Sequence, residues 1–312
     1  MALVSARVTR EEVEKQLHGR GADVRGTVFR LLLLVALLLS LLFLVVLLLT
    51  IFFEGIGVFA DRGLDFVTSG TSGDPDSAGV WQAIMGSLAI AGFVVVLAFP
   101  IGIGAAVYLE EYAPDTRWTR FVNLNIRNLA GVPSIVYGIL GLTIFVQTLD
   151  GFTGGRTVIA GGVTLAILVL PIVIITSAEA LRAVPNSIRE AGYGVGASRW
   201  EVTRSHTLPY ATPAILTGTV LSLARALGEA APLILVGAKT GFFANAEGAS
   251  VLDRLQGPFT ALPNLVFGWA RQPGETWADN TAAAILVMLA VVIAANTAAI
   301  LLRNHFDKKR ET

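Results

Sequence analysis

Residues 31–53 read LLLLVALLLSLLFLVVLLLTIFF, twenty-three positions without a charge. As a helix this run reaches about 35 Å, enough for a hydrocarbon core of roughly 30 Å. Ser40 and Thr50 are its only polar residues, so it lacks the polar stripe of a soluble amphipathic helix. The thirty residues before it are charged and too long for a signal-peptide n-region, and the run exceeds an h-region of about 7–15 residues. It reads as an uncleaved membrane anchor.

Composition extends that reading to the whole chain. Of 312 residues, 54% are hydrophobic and 15% charged, against roughly 25% charged in soluble domains. Charge-free runs mark five further spans, at 81–109, 128–149, 157–178, 211–238 and 280–302. Pro100, Pro133 and Pro171 fall inside the first three of these. The chain is read as an all-α integral membrane protein with six transmembrane helices. Seventeen of the 23 Lys and Arg residues lie on one side of this layout and five on the other. The positive-inside rule then places both termini and the 179–209 loop in the cytoplasm, and the 239–279 loop outside. The parts are an N-terminal tail at 1–30, the first span at 31–53, a core at 81–303 and a tail at 304–312. In the outer loop, 259–280 mixes aromatics with Pro and Gly. It reads as a short interfacial helix with Trp269 and Trp277 at headgroup level, or as a lid over a ligand.

Several functions are excluded. Net charge is zero, so no nucleic-acid partner is implied. There is no cysteine, and His18, His206 and His305 are scattered, so no metal site is expected. Lys239-Thr240 follows Gly237-Ala238 and makes no phosphate cradle. No H-E-x-x-H or G-x-S-x-G occurs. The chain is read as a non-enzyme whose energy comes from a partner or an ion.

The patterned cytoplasmic segment is EALRAVPNSIREAGYGVGASRWEVTRSHTLPYATPAIL, 179–216. Ser187 and Glu190 have capping-box spacing for a helix starting near Ile188. Ile188, Ala191 and Val195 share one helical face, and Gly194 and Gly196 permit a turn. A second short helix at 199–206 leads to Leu208-Pro209. An ordinary connector needs no such face and hinge; a helix that enters another protein's groove does.

Glu190-Ala191-Gly192, then Gly196, then Leu208-Pro209 resembles the EAA loop of bacterial ABC importer permeases. Gly192 and His206 depart from that pattern, standing for an alanine and an aliphatic residue. FPIGIGAAVYLEEYAP (99–114), NLAGVPSIVYGILGL (128–142) and LARALGEAAPLIL (223–235) look like the PstA family of phosphate-importer permeases, with the sister PstC family similar in several motifs. The resemblance implies a type I ABC importer permease fold over 81–303. It implies that Glu190, Ala191, Gly192, Gly196, Leu208 and Pro209 belong to a loop that docks on an ATPase. It further implies a PstC-like sister permease, a PstB-like ATPase dimer that binds ATP with Mg, and an external PstS-like phosphate-binding protein. No cofactor is expected on this chain itself, and its setting is the bacterial inner membrane with its lipid.

The remaining signal is LSLARALGEAAPLILVGA, 221–238, where Arg225 and Glu229 sit one turn apart deep in a span. A charge there costs about 2.5–3.5 kcal/mol on insertion scales. Pro232 lacks an N–H and opposes the carbonyl of Gly228, so a kink is expected at 228–232. Broken helices at midplane polar residues are where transporters place substrate. Arg225 is therefore expected to face a passing oxyanion, with Glu229 holding it when the path is empty or accepting a proton from the phosphate hydroxyl, or the two form a self-neutralising structural pair. Ser134 either lines the same path or shapes the start of its span. A permease for another oxyanion and a secondary transporter working alone are the competing readings. The second of these lacks an internal repeat and a use for the 179–209 helices.

Overall fold

The computed structural model describes residues 24–239 and 255–308. The tail at 1–23, the 240–254 part of the outer loop and the last four residues lie outside the described residues. The chain divides into two compact units, 1–51 and 52–312. In the first, every side chain from 27 to 50 is exposed. These residues belong to α1 (Val24–Arg62). An apolar helix with no covered face is built for lipid.

Within the second unit, the short α2 (Asp65–Thr68) precedes the long α3 (Trp81–Tyr112). Pro100 does not break α3. A π-helical turn at Val94–Ala98 precedes it, and this widening makes room for the ring and the missing N–H. A second π turn, Tyr108–Tyr112, ends the helix and presents Glu110 and Glu111.

The third expected span is different from its sequence reading. The stretch before it is not a loop but a helix, α4 (Arg117–Ala130), capped by Thr116. The chain then turns through Gly131-Val132-Pro133 into α5 (Ser134–Thr148), bent 97° from α4. Pro133 is extended at ψ 137° and caps α5, so it serves as a corner rather than as part of the span. A one-turn α6 (Asp150–Thr153) follows.

The scaffold's centre is α7 (Val158–Arg182), which keeps Pro171 in its interior. Leu165, Val169, Val173 and Leu181 are fully enclosed, because α3, α5 and later helices pack around it. Next come α8 (Asn186–Gly194) and α9 (Arg199–Val202). α9 passes through a π turn, Thr203–Thr207, directly into α10 (Leu208–Gly228). Leu208-Pro209 is thus no break: as at Pro100, a π turn just before the proline makes room for its ring and missing N–H.

The stretch 211–238 is not one helix. α10 ends at Gly228, Glu229 is extended at φ −82°, ψ 113°, and α11 (Ala231–Val236) restarts with Pro232 in its first turn. α12 (Leu262–Trp269) and α13 (Glu275–Lys308) complete the described chain. The indole of Trp269 is enclosed at 2% exposure, against Phe66 and Trp277, not turned outward to headgroups. Among the described residues no strand occurs. Among the described residues, four helices are long and apolar enough to cross a membrane, or five if the bent α4–α5 pair counts as one span.

Three larger apolar clusters organise this unit. One joins α3, α7, α10 and α11 around Val94, Leu165, Val169 and Leu233. A second joins α12 and α13 to Phe66 and Val80. The third lies where α3 and α7 end, around Ala106, Ile174, Leu181 and Ile215, and receives Ile126 and Ile188 from α4 and α8.

Candidate functional site

Two places hold the chemistry. The first is the α8–α9 hairpin. Its start is not capped by Ser187: Pro185 takes the cap position of α8, and the helix begins at Asn186. The capping box forms instead at α9, where the Ser198 hydroxyl accepts from the Glu201 N–H at 3.3 Å and the Glu201 carboxylate accepts from the Ser198 N–H at 2.7 Å. The same S-x-x-E spacing occurs twice within 187–201, and only the second follows the αL turn that leaves N–H groups to cap.

That turn is Gly196, at φ +85°, where a side chain is strained. Gly192 is buried, and a Cβ there would lie 2.7 Å from a γ-methyl of Val202. So glycine at this position is needed for α8 to close on α9. Ile188 turns inward, whereas Val195 is 84% exposed, so the expected common face with Ala191 is divided. Tyr193, Val195 and Trp200 are all exposed large apolar residues. Glu190, Ala191 and His206 are also exposed.

Three arginines cluster here: Arg189 and Arg199 bind the hairpin to the helices behind it, and Arg182 ties those helices together. Arg182, on α7, donates from Nε to Glu110 at 2.8 Å and makes a second bond to the other carboxylate oxygen. Arg189, on α8, donates from Nη2 to Glu111 at 2.7 Å, to Leu181 O at 2.9 Å, and from Nη1 to Val184 O at 2.8 Å. It thereby satisfies carbonyls at the end of α7. Arg199 reaches Tyr112 O at 3.5 Å. These side chains line an open polar cleft of about 370 Å³. None of Glu110, Glu111, Arg182 and Arg189 stands out in the sequence as a site residue. Their visible signal is a Glu-Glu pair ending an apolar helix; the partners lie 72 and 78 residues away.

The second place is the break between α10 and α11. Arg225 Nε lies 3.4 Å from Glu229 Oε1, with the arginine side chain 54% exposed and the glutamate 18%. Because Glu229 is extended, this pair spans the helix end rather than a continuous turn. α5 closes against the break. A Cβ on Gly138 would lie 2.8 Å from Pro232 Cα, so only glycine admits this approach. Ser134 starts α5 one turn earlier. Among the described residues no hydrogen bond or ion pair joins it to Arg225 or Glu229. Nor is there any group of three side chains that could hold a metal.

The family model for the binding-protein-dependent transport system inner membrane component matches residues 98–312. The phosphate transport system permease protein PstA 1 of Mycobacterium tuberculosis is 35% identical over 75% of this chain and 73% of its own. PstA of Yersinia pestis is 35% identical over 76% of both chains. In shape, the chain matches a crystal structure of a bacterial alginate ABC transporter in complex with an alginate pentasaccharide-bound periplasmic protein. There the TM-score is 0.63 at 16% identity, over 89% of this chain and 96% of that one, a likeness of fold alone. The chain belongs to the family of binding-protein-dependent transport system inner membrane components, and within it to the PstA-type permeases.

Proposed function

We propose that this chain is the transmembrane permease subunit of an ATP-driven importer of inorganic phosphate in the bacterial inner membrane. The observation that carries the reading is the 35% identity to phosphate permeases over about three quarters of both chains. It forms the translocation path with a PstC-like sister permease. A PstB-like ATPase dimer binds ATP with Mg, and an external PstS-like protein delivers phosphate. The chain itself hydrolyses nothing and holds no cofactor. Counting α1, α3, α4–α5, α7, α10–α11 and α13 as crossings gives six, with both termini in the cytoplasm.

The α8–α9 hairpin is the surface that meets the ATPase. Its exposed Tyr193, Val195 and Trp200 suit a groove in a partner, and Gly192 and Gly196 set the hairpin's shape. Glu190, Ala191, Leu208 and Pro209 frame it. The α10–α11 break is the point of contact with substrate. Arg225's guanidinium offers a planar fork for an oxyanion, and Glu229 is close enough to hold it in the absence of one. Gly228 and Pro232 keep the helix open there, and Ser134 lines the approach. Attraction at this point is weak enough for release, so affinity resides in the external protein.

The test is uptake into proteoliposomes holding the whole complex, with labelled phosphate against sulfate and molybdate. Phosphate-selective, ATP-dependent uptake is expected. Uptake led by another oxyanion would overturn the substrate, and uptake without the ATPase would overturn the class.

A further inference from the structure

We infer that the Glu111–Arg189 pair is the joint that carries movement of the α8–α9 hairpin into α3, and that these are positioning residues of the transport cycle. The inference rests on the reading of that hairpin as the ATPase-docking surface.

The geometry starts with burial. Glu111's side chain is 4% exposed and Arg189's 18%. A carboxylate so enclosed is tolerated only beside a partner, and Arg189 is that partner. The guanidinium does more than neutralise. Its Nη2 reaches Glu111 on α3 and Leu181 O on α7, and its Nη1 reaches Val184 O just past the end of α7. One planar group on α8 therefore grips two other elements at fixed angles, which a lysine's point charge would not do.

The neighbouring pair does not duplicate it. Arg182 is 46% exposed and belongs to α7, so its bond to Glu110 joins α3 to α7 without involving α8. Solvent weakens such pairs. Arg199 offers only a 3.5 Å bond to a backbone carbonyl. The one charged link between the hairpin and α3 is thus Glu111–Arg189, among the described residues. Glu110 and Glu111 are adjacent in the π turn and point in different directions, one to Arg182 on α7 and the other to Arg189 on α8.

Mechanically, α3 and α7 pack along most of their lengths around Val94, Val169 and Val173. A displacement of α8 delivered to the end of α3 tilts that helix against α7. Without the joint, the hairpin can dock and move while α3 stays behind. ATP is then hydrolysed with less phosphate moved.

The experiment uses the full complex in proteoliposomes and reads phosphate transported per ATP hydrolysed, with copurification of the ATPase as the control. Glu111→Gln is expected to lower that ratio at least about fivefold, the low end of ordinary coupling between sites, with the ATPase still bound. The chain has no cysteine, so a Glu111→Cys/Arg189→Cys double variant can be bridged by a short bifunctional thiol reagent at one place only. Bridging is expected to recover at least half of the lost ratio, an effect that a role confined to stability would not produce. A wild-type ratio in Glu111→Gln, or no recovery on bridging in an assembled complex, overturns the joint. Should Glu111→Gln fail to assemble, the bridged variant decides. A separate Ser198→Cys variant, otherwise wild type, tests the docking reading: no cross-link from it to the ATPase refutes docking, whatever the joint does.

Discussion

At the scale of single residues, the expensive choices are charges and glycines in apolar surroundings. Arg225 and Glu229 together make one such choice. If they only neutralised one another, both could be replaced by neutral residues with little change in uptake. On the pathway reading, Arg225→Gln abolishes ATP-dependent phosphate uptake while the chain still inserts, and Glu229→Gln reduces it; transport by the reconstituted complex is the measurement. Wild-type uptake in both would end that reading. Gly192 is a second case. Its methyl-free surface admits Val202, so Gly192→Ala should cost about 1–3 kcal/mol, as overpacking does, read as a lower thermal midpoint of the detergent-solubilised chain. Gly196→Ala should also destabilise, through positive φ rather than contact, since no atom lies near its missing Cβ.

Elements raise a different question, namely which helices the sequence could announce. α9 announced itself weakly. Its capping box holds the Glu201 carboxyl below the usual carboxylate range, chiefly through the hydrogen bond with the Ser198 hydroxyl and then the Ser198 N–H. A lowered carboxylate favours the folded turn above its unfolded pKa, and that contribution is lost as pH falls through the lowered value. The protection factor against hydrogen exchange at the start of α9, taken relative to the unfolded-chain rate at each pH, should therefore fall on acidification, and Glu201→Gln should remove that pH dependence. α4 announced itself only in hindsight. It buries no residue fully, and Trp118, Phe121, Leu124 and Leu129 are exposed beside Arg117, Arg120 and Arg127. Trp118 stacks on Phe121 at 5.5 Å. If α5 runs across the bilayer, the 97° bend lays α4 in its plane. α5 spans about 22 Å, roughly 8 Å short of a hydrocarbon core, which matches the 5–10 Å depth of an interfacial helix. With Trp118 as the only tryptophan, brominated lipids should quench its fluorescence in the assembled complex. Absence of quenching would mean that protein covers this face.

At the scale of the whole molecule, α7 is the post around which the 52–308 unit is built. Leu165 is enclosed at 0% exposure between α3, α5 and α11. Leu165→Ala should cost about 2–5 kcal/mol, the range for a buried leucine with partial collapse of the cavity. Thermal unfolding of the detergent-solubilised chain is the check. The post also explains which parts of the fold were legible. Charge-free runs located α1, α3, α7 and α13, because lipid demands an uninterrupted apolar stretch and the demand is written residue by residue. Gly-hinged short helices at 186–202 were legible for the same kind of local reason: cap and turn chemistry acts within four residues. The break at Glu229 was expected from Pro232, since a missing N–H is a local fact. Its form was not, because whether a proline bends a helix or restarts it depends on what packs beside it, here α5 through Gly138. Nor could the chain's pattern show that Trp269 faces protein, that α4 turns through a right angle, or that Glu111 meets Arg189 across 78 residues. Each of these is a pairing of surfaces distant in sequence, and only the packing of α3, α7 and α8 brings the partners within hydrogen-bonding distance. The sequence alone determined that the chain must live in a membrane and where the long apolar helices α1, α3, α7 and α13 lie. The tertiary structure decided which of its few charges are joined, because a buried charge is stable only where the fold delivers its partner.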